Sequence, residues 1–157
     1  MSLKDYLLQN TFELVNSASI EDLNEYLVGN IIGLGALILN GYSYENLIGN
    51  ITYLSNCKEM GTFDTVVTRH IYIEGYKEKD YGFENHIATP ERMICDFIMY
   101  PEELSADLWV HDAIIGYIED DETPDDFHLI YEMLDHFGVD RSLFDKRVEE
   151  LEEIEEL

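Results

Sequence analysis

The chain has 157 residues and carries 34 Asp and Glu against 9 Lys and Arg, a formal net charge of −25. That imbalance argues against a nucleic-acid interface, which needs Lys and Arg to displace phosphate counterions, and against anionic lipid headgroups. Hydrophobic residues make up 46%, enough to bury a core, so the chain falls outside the disordered class despite its charge.

Self-repulsion of this size works against the compact state, and it points to a partner with a basic surface. The charge is uneven. Residues 96–157 hold 21 acids and 3 bases, whereas residues 1–95 hold 13 acids and 6 bases, so the C-terminal part dominates the field. The functional surface is expected there. No basic residue occurs between Lys4 and Lys58. The two cysteines, Cys57 and Cys95, have no paired spacing and read as reduced thiols of a cytoplasmic protein. Asp5 follows Met1 too closely for a signal peptide. The longest apolar run, Ile31 to Leu39, is broken by two glycines and reaches roughly half of the ~20 residues that span a bilayer.

In chain order, Ser19 followed by Asp22 is a capping-box variant that opens a short helix over Ile20–Val28. Asn30–Asn40 reads as an apolar helix stopped by Gly41, suited to the left-handed C′ position. Asn40 to Ser43 is rich in turn formers. Ile48–Leu54 and Thr65–Glu74 are β-branched and aromatic and read as strands. Gly75–Gly82 reads as a hairpin tip, with Phe83–Ala88 returning.

Four helices are expected beyond the sheet. Thr89-Pro90-Glu91 starts the first, which ends before Pro101. Ser105 opens the second. Thr123-Pro124-Asp125-Asp126 repeats the capping design for the third, which ends at Gly138, and the last starts near Arg141. The expected fold is α+β: a small, mostly antiparallel sheet flanked by N-terminal helices and a C-terminal four-helix segment. Residues 1–34 read as an N-terminal helical segment and residues 35–157 as the α+β domain with acidic C-terminal helices.

The stretch from His86 to Asp96 contains Thr89, Pro90, Arg92 and Asp96 in a pattern similar to Thr/Asp-Pro-x-Arg-x-x-x-Asp. This resembles the central signature of the AbiEi family of type IV antitoxins, and the resemblance covers about residues 35–151. It implies an antitoxin-like α+β domain opposing a nucleotidyltransferase-type toxin. Such antitoxins carry an N-terminal winged helix that binds DNA. Residues 1–40 here hold one Lys, no Arg and five acids, so the resemblance implies the antitoxicity half without the repressor half. Read physically, Arg92 and Asp96 stand at i and i+4 and can pair. Arg92 can also hold its helix against the sheet, which makes the motif structural.

No nucleophile elbow, phosphate-binding loop or dinucleotide fingerprint occurs. His128, Glu132 and His136 lie on one helical stripe, and Asp107 and His111 form another i, i+4 pair. Both spacings could ligate a metal. Acids this frequent generate such spacings by chance, so neither a catalytic residue nor a cofactor is expected. Six of the eight residues from Glu119 to Asp126 are acidic but lack the central glycine of a calcium loop. Glu149, Glu150, Glu152 and Glu153 belong to a terminal helix with a narrow apolar stripe.

These features give two classes of function. In the first, a non-catalytic acidic antagonist binds a basic enzyme that handles nucleic acid or nucleotides. Its contacts would be Glu119, Asp120, Asp121, Glu122, Asp125, Asp126, Glu149, Glu150, Glu152 and Glu153. The partner is either a nucleotidyltransferase toxin or, for a phage-encoded DNA mimic of anti-CRISPR or anti-restriction type, a defence nuclease. The second class is a small metal-dependent enzyme built on the His–acid stripes.

Overall fold

The computed structural model describes residues 29–45, 51–55, 63–64, 68–78 and 80–155. The helix expected over Ile20–Val28 lies outside them. The described fold is α+β, with a six-stranded sheet of short strands in the order β3-β4-β2-β1-β6-β5. The strands are β1 (Gly29–Ile31), β2 (Ile51–Ser55), β3 (Phe63–Asp64), β4 (Thr68–Ile71), β5 (Phe83–Glu84) and β6 (Ile87–Ala88). Three of the pairings are antiparallel, β1 with β2, β3 with β4 and β5 with β6; β1 with β6 and β2 with β4 are parallel. The helices are α1 (Gly33–Leu39), α2 (Pro90–Met99), α3 (Ala106–Glu119), α4 (His128–His136) and α5 (Ser142–Glu155).

The start of the first apolar run is a strand, not the helix expected from Asn30. The Ile31 amide donates to the His86 carbonyl at 2.7 Å and the Ile32 amide to the Thr52 carbonyl at 2.9 Å, which holds this segment inside the sheet. Gly33, at φ +55°, turns the chain from strand into helix. A uniformly apolar run has no period to separate strand from helix, and these long-range bonds decided it. β1 lies within the segment read as an N-terminal helical part, yet it is a central strand. The end of α1 follows expectation: Gly41 takes φ +81°, and the Gly41 and Tyr42 amides bond back to Ile38 and Leu37.

The expected hairpin over 75–82 is replaced by a loop. β4 pairs with β2 and β3, and neither β5 nor β6 returns along it. Phe83–Ala88 is itself a two-residue hairpin, with Asn85 and His86 both at positive φ (52° and 64°). Two left-handed residues are what a tight type I′ turn requires.

α2 is the central helix. Seven consecutive residues, Arg92 to Ile98, are buried, because α1, α3, α4 and β6 surround it. Its N-terminus is built as the sequence indicates: the Thr89 hydroxyl accepts from the Arg92 amide at 3.3 Å, and Pro90 opens the helix. Ser105 opens α3 as expected, though from a left-handed φ of +53° and without a side-chain cap. The third start differs. α4 begins at His128 rather than after Thr123. The Thr123 hydroxyl donates to the carbonyls of Tyr117 (2.6 Å) and Asp120 (2.9 Å), so it closes α3 instead of opening α4. The layout places α3, and the loop after it, on one flank of the core with an outer face toward solvent. No described helix is long and apolar enough to cross a membrane.

Candidate functional site

Two constellations of polar groups stand out, one buried and one exposed. The buried one is the Thr89–Asp96 motif. Arg92 and Asp96 are both wholly buried, and Arg92 Nε donates to Asp96 Oδ1 at 2.9 Å. The other guanidinium nitrogens donate to three backbone carbonyls of the 76–82 loop: Lys77 (2.7 Å), Tyr81 (3.0 Å) and Glu78 (3.2 Å). Tyr76 and Phe137 lie against its faces at 4.6 and 4.5 Å from the ring centres. The Tyr76 hydroxyl donates to Asp96 Oδ2 at 2.5 Å. Burial lifts the Asp96 carboxyl to about 6, against the opposing pull of Arg92. Every group here is engaged by the fold: Arg92 donates to the loop carbonyls and also lies 5.3 Å from the ring centre of Phe83 in β5, so it ties α2 to both the loop and the edge of the sheet. Nearby, burial also pushes the Cys95 thiol well above its ordinary value, which leaves it a packing group.

The exposed constellation is a cleft of about 710 Å³ between the 40–44 turn, α3 and the loop after it. Its lining includes Tyr42, Tyr44, Asp112, Ile115, Glu119, Asp120, Asp121 and Glu122. Local chemistry builds it. The Gly41 turn delivers Tyr42 onto α3 at Gly116, where a Cβ would come within 2.3 Å of the Tyr42 ring. The Tyr42 hydroxyl then donates to Asp120 Oδ2 at 2.6 Å, and the Glu122 amide donates to Asp120 Oδ1 at 2.9 Å. Burial first, and then the Asp120 hydrogen bond, push the Tyr42 phenol far above its usual range. Asp120 is therefore part of the cleft's frame, whereas Asp112, Glu119, Asp121, Glu122 and Tyr44 are exposed. Such a surface can take a cation: several carboxylates converge, and aromatic rings offer π faces.

The structure distributes the other expected contacts more widely. Asp125 and Asp126 are exposed at the start of α4, where Asp126 accepts from the His128 amide at 3.1 Å and also pairs with its ring. The hydrogen bond from His128 holds the Asp126 carboxyl below its ordinary value. On α5, Glu149, Glu152 and Glu153 are exposed, whereas Glu150 is half-buried. Its Oε2 lies 3.3 Å from His111 Nε2 and 3.6 Å from Arg147 Nη1. The His111 approach falls outside hydrogen-bond geometry. None of the four lines the cleft.

The His–acid stripe is not gathered into one site. His128 pairs with Asp126, and Glu132 is exposed. His136 reaches Glu78 at 2.5 Å and stacks on Tyr81 at 4.2 Å. Asp107 pairs with Arg147 at 2.8 Å rather than with His111. Among the described residues, no three His, Cys, Asp or Glu side chains are grouped to hold a metal ion. Sequence reasoning missed Tyr42, Tyr44, Asp112 and Ile115. A signal for the last two was present: Leu108, Asp112, Ile115 and Glu119 follow one another at helical spacing, in one stripe of α3.

Comparison with known proteins returned no match: no family model, no curated protein and no solved structure is similar to this chain at the significance required.

Proposed function

We propose that this chain is a non-catalytic antagonist that binds a basic protein, an enzyme handling nucleic acid or nucleotides. The cleft is our candidate for the centre of contact. One observation carries the reading: on a chain of net charge −25, four exposed carboxylates converge on a cleft that two tyrosines also line. Complementary charge speeds encounter and disfavours wrong partners, while the tyrosines supply anchoring contact. The exposed acids of α4 and α5 extend the field that guides approach.

The resemblance of the 86–96 stretch to AbiEi-type antitoxins favours a nucleotidyltransferase toxin as partner. The charge alone favours mimicry of nucleic acid toward a defence nuclease. An affinity pull-down from native lysate at low and high salt, read by mass spectrometry, tests the proposal. Recovery of one basic enzyme, weakened by salt, supports it, and the enzyme's identity separates the two versions. Recovery of no basic protein at either salt overturns it and directs attention to the metal-dependent alternative, where loss of activity in His128→Ala with loss of a bound metal is the expected signature.

A further inference from the structure

α3 is apolar around most of its circumference. Its inner residues, Ala106, Val110, Ala113, Ile114 and Tyr117, are buried in the core. Its outer face is also apolar in part: Leu108 is 69% exposed and Ile118 54% exposed, with Ile115 half-buried between them. An amphipathic surface helix presents charge to solvent, so this outer row is out of place unless something covers it. Leu108, Asp112, Ile115 and Glu119 stand at i, i+4, i+7 and i+11, a straight stripe in which apolar and acidic residues alternate over about 16 Å. The stripe runs into the cleft, where Asp121, Glu122 and Tyr44 continue it.

The helix polarity sharpens this placement. Glu119 to Glu122 gather at the C-terminal end of α3, where the macrodipole is already negative. Acids there are unfavourable in the lone molecule, and a cation bound against them relieves the conflict.

We propose that the outer face of α3, with the cleft at its C-terminal end, is the docking face for an amphipathic basic helix of the partner. The partner's apolar residues, spaced at three and four positions, rest on Leu108, Ile115 and Ile118. Its flanking Lys and Arg meet Asp112, Glu119, Asp121 and Glu122, and one of them enters the cleft over Tyr44. Helix-in-groove docking is read from such spacing. Charge selects this occupant. A second copy in an isologous dimer would set like acids against each other, and an anionic lipid surface is repelled in the same way. The inference rests on the antagonist reading and names the partner's docking element.

The test uses the full chain and a synthetic peptide of about four helical turns, with Leu along one face and Lys along the other. A peptide of the same composition, scrambled to destroy the face, is the control. The helical peptide is expected to bind about tenfold tighter than the scramble. Backbone chemical-shift changes should cluster on residues 42–44 and 108–122. Leu108→Gln with Ile118→Gln, which leaves every charge in place, should bring the two peptides to equal affinity.

Equal affinity for the unaltered chain, or shifts centred on α5, overturns the helix-docking face while leaving the antagonist reading intact. A salt-dependent dimer of the chain that Leu108→Gln dissolves overturns it in favour of a second copy. Failure of the antagonist reading itself shows separately, as a lysate pull-down that retains no basic enzyme.

Discussion

The buried Arg92–Asp96 knot and the open cleft beside α3 both consist of charges and tyrosines, yet the fold treats them oppositely. In the knot, each guanidinium nitrogen has a named acceptor, and Asp96 accepts from both Arg92 and Tyr76. Those charges bind α2 to the 76–82 loop and have nothing left for a ligand. In the cleft, among the described residues, Asp120 is held by Tyr42 and the Glu122 amide, whereas Asp112, Glu119, Asp121 and Glu122 stay exposed. Desolvated charges must be satisfied inside the protein, while exposed ones can be left for an external partner. The Arg92–Asp96 pair thus serves the scaffold, and the binding candidate is the exposed cleft beside α3.

Removing the centre of the knot should have the largest effect. Arg92→Ala takes from buried Asp96 its cationic partner and leaves three loop carbonyls without their donor, and urea unfolding should report a loss of about 3–5 kcal/mol. Arg92→Lys should recover little of this, because one ammonium cannot reproduce the guanidinium fork. Near-wild-type stability for Arg92→Ala would remove the contrast between the two regions.

Gly116→Val attacks the frame of the cleft. The added side chain overlaps the Tyr42 ring, so Tyr42 must move or α3 must shift, at about 1–3 kcal/mol. Binding of the basic partner should fall with it, while the Arg92 knot should stay intact by nuclear magnetic resonance.

Acidity should separate the regions in a further way. Folding raises the Asp96 pKa from 3.8 to about 6, so the folded state favours its protonated form. That contribution to stability is fully present below about 4 and is lost as pH rises through about 6. Stability should therefore increase by about 1–2 kcal/mol on going from pH 7 to pH 5, and relief of self-repulsion acts in the same direction. Asp96→Asn should flatten the part of this slope that comes from Asp96. A midpoint that falls steadily from pH 7 to pH 5 would contradict the assignment.

The smallest effect on stability belongs to the exposed acids. Asp121→Asn with Glu122→Gln should change unfolding free energy by no more than about 0.5 kcal/mol. The same pair should slow association with the basic partner and reduce its salt dependence, as expected of groups that act by steering. An unchanged on-rate would move the contact surface away from the cleft.

Much of the fold was legible where a short-range physical device determines structure. Thr89 and Pro90 mark a helix start because a hydroxyl and a fixed φ act within one turn. Gly41 and Gly138 mark helix ends because both take a left-handed φ, 81° and 72°. The i, i+4 pairing of Arg92 with Asp96 was equally readable. By contrast, Gly29–Ile31 became a strand only because Thr52 and His86 offer it backbone partners from elsewhere in the chain. The 76–82 loop was misread because its organiser, Arg92, lies beyond it in sequence and reaches it through a fixed fork of donors.

Of the candidate site, the sequence by itself determined the charge, and the concentration of acids from Glu119 to Asp126. Those follow from composition, and no fold is needed to see them. Only the tertiary structure decided which acids act together. It joined Tyr42 and Tyr44 to Glu119–Glu122 across more than seventy residues, set Glu150 beside His111 and Arg147, and set His128 and His136 against separate carboxylates. Long-range packing sets these outcomes: the bare Cα of Gly116 lets a ring lie flat on a helix, and helix-on-helix contact chooses which face of α5 is covered.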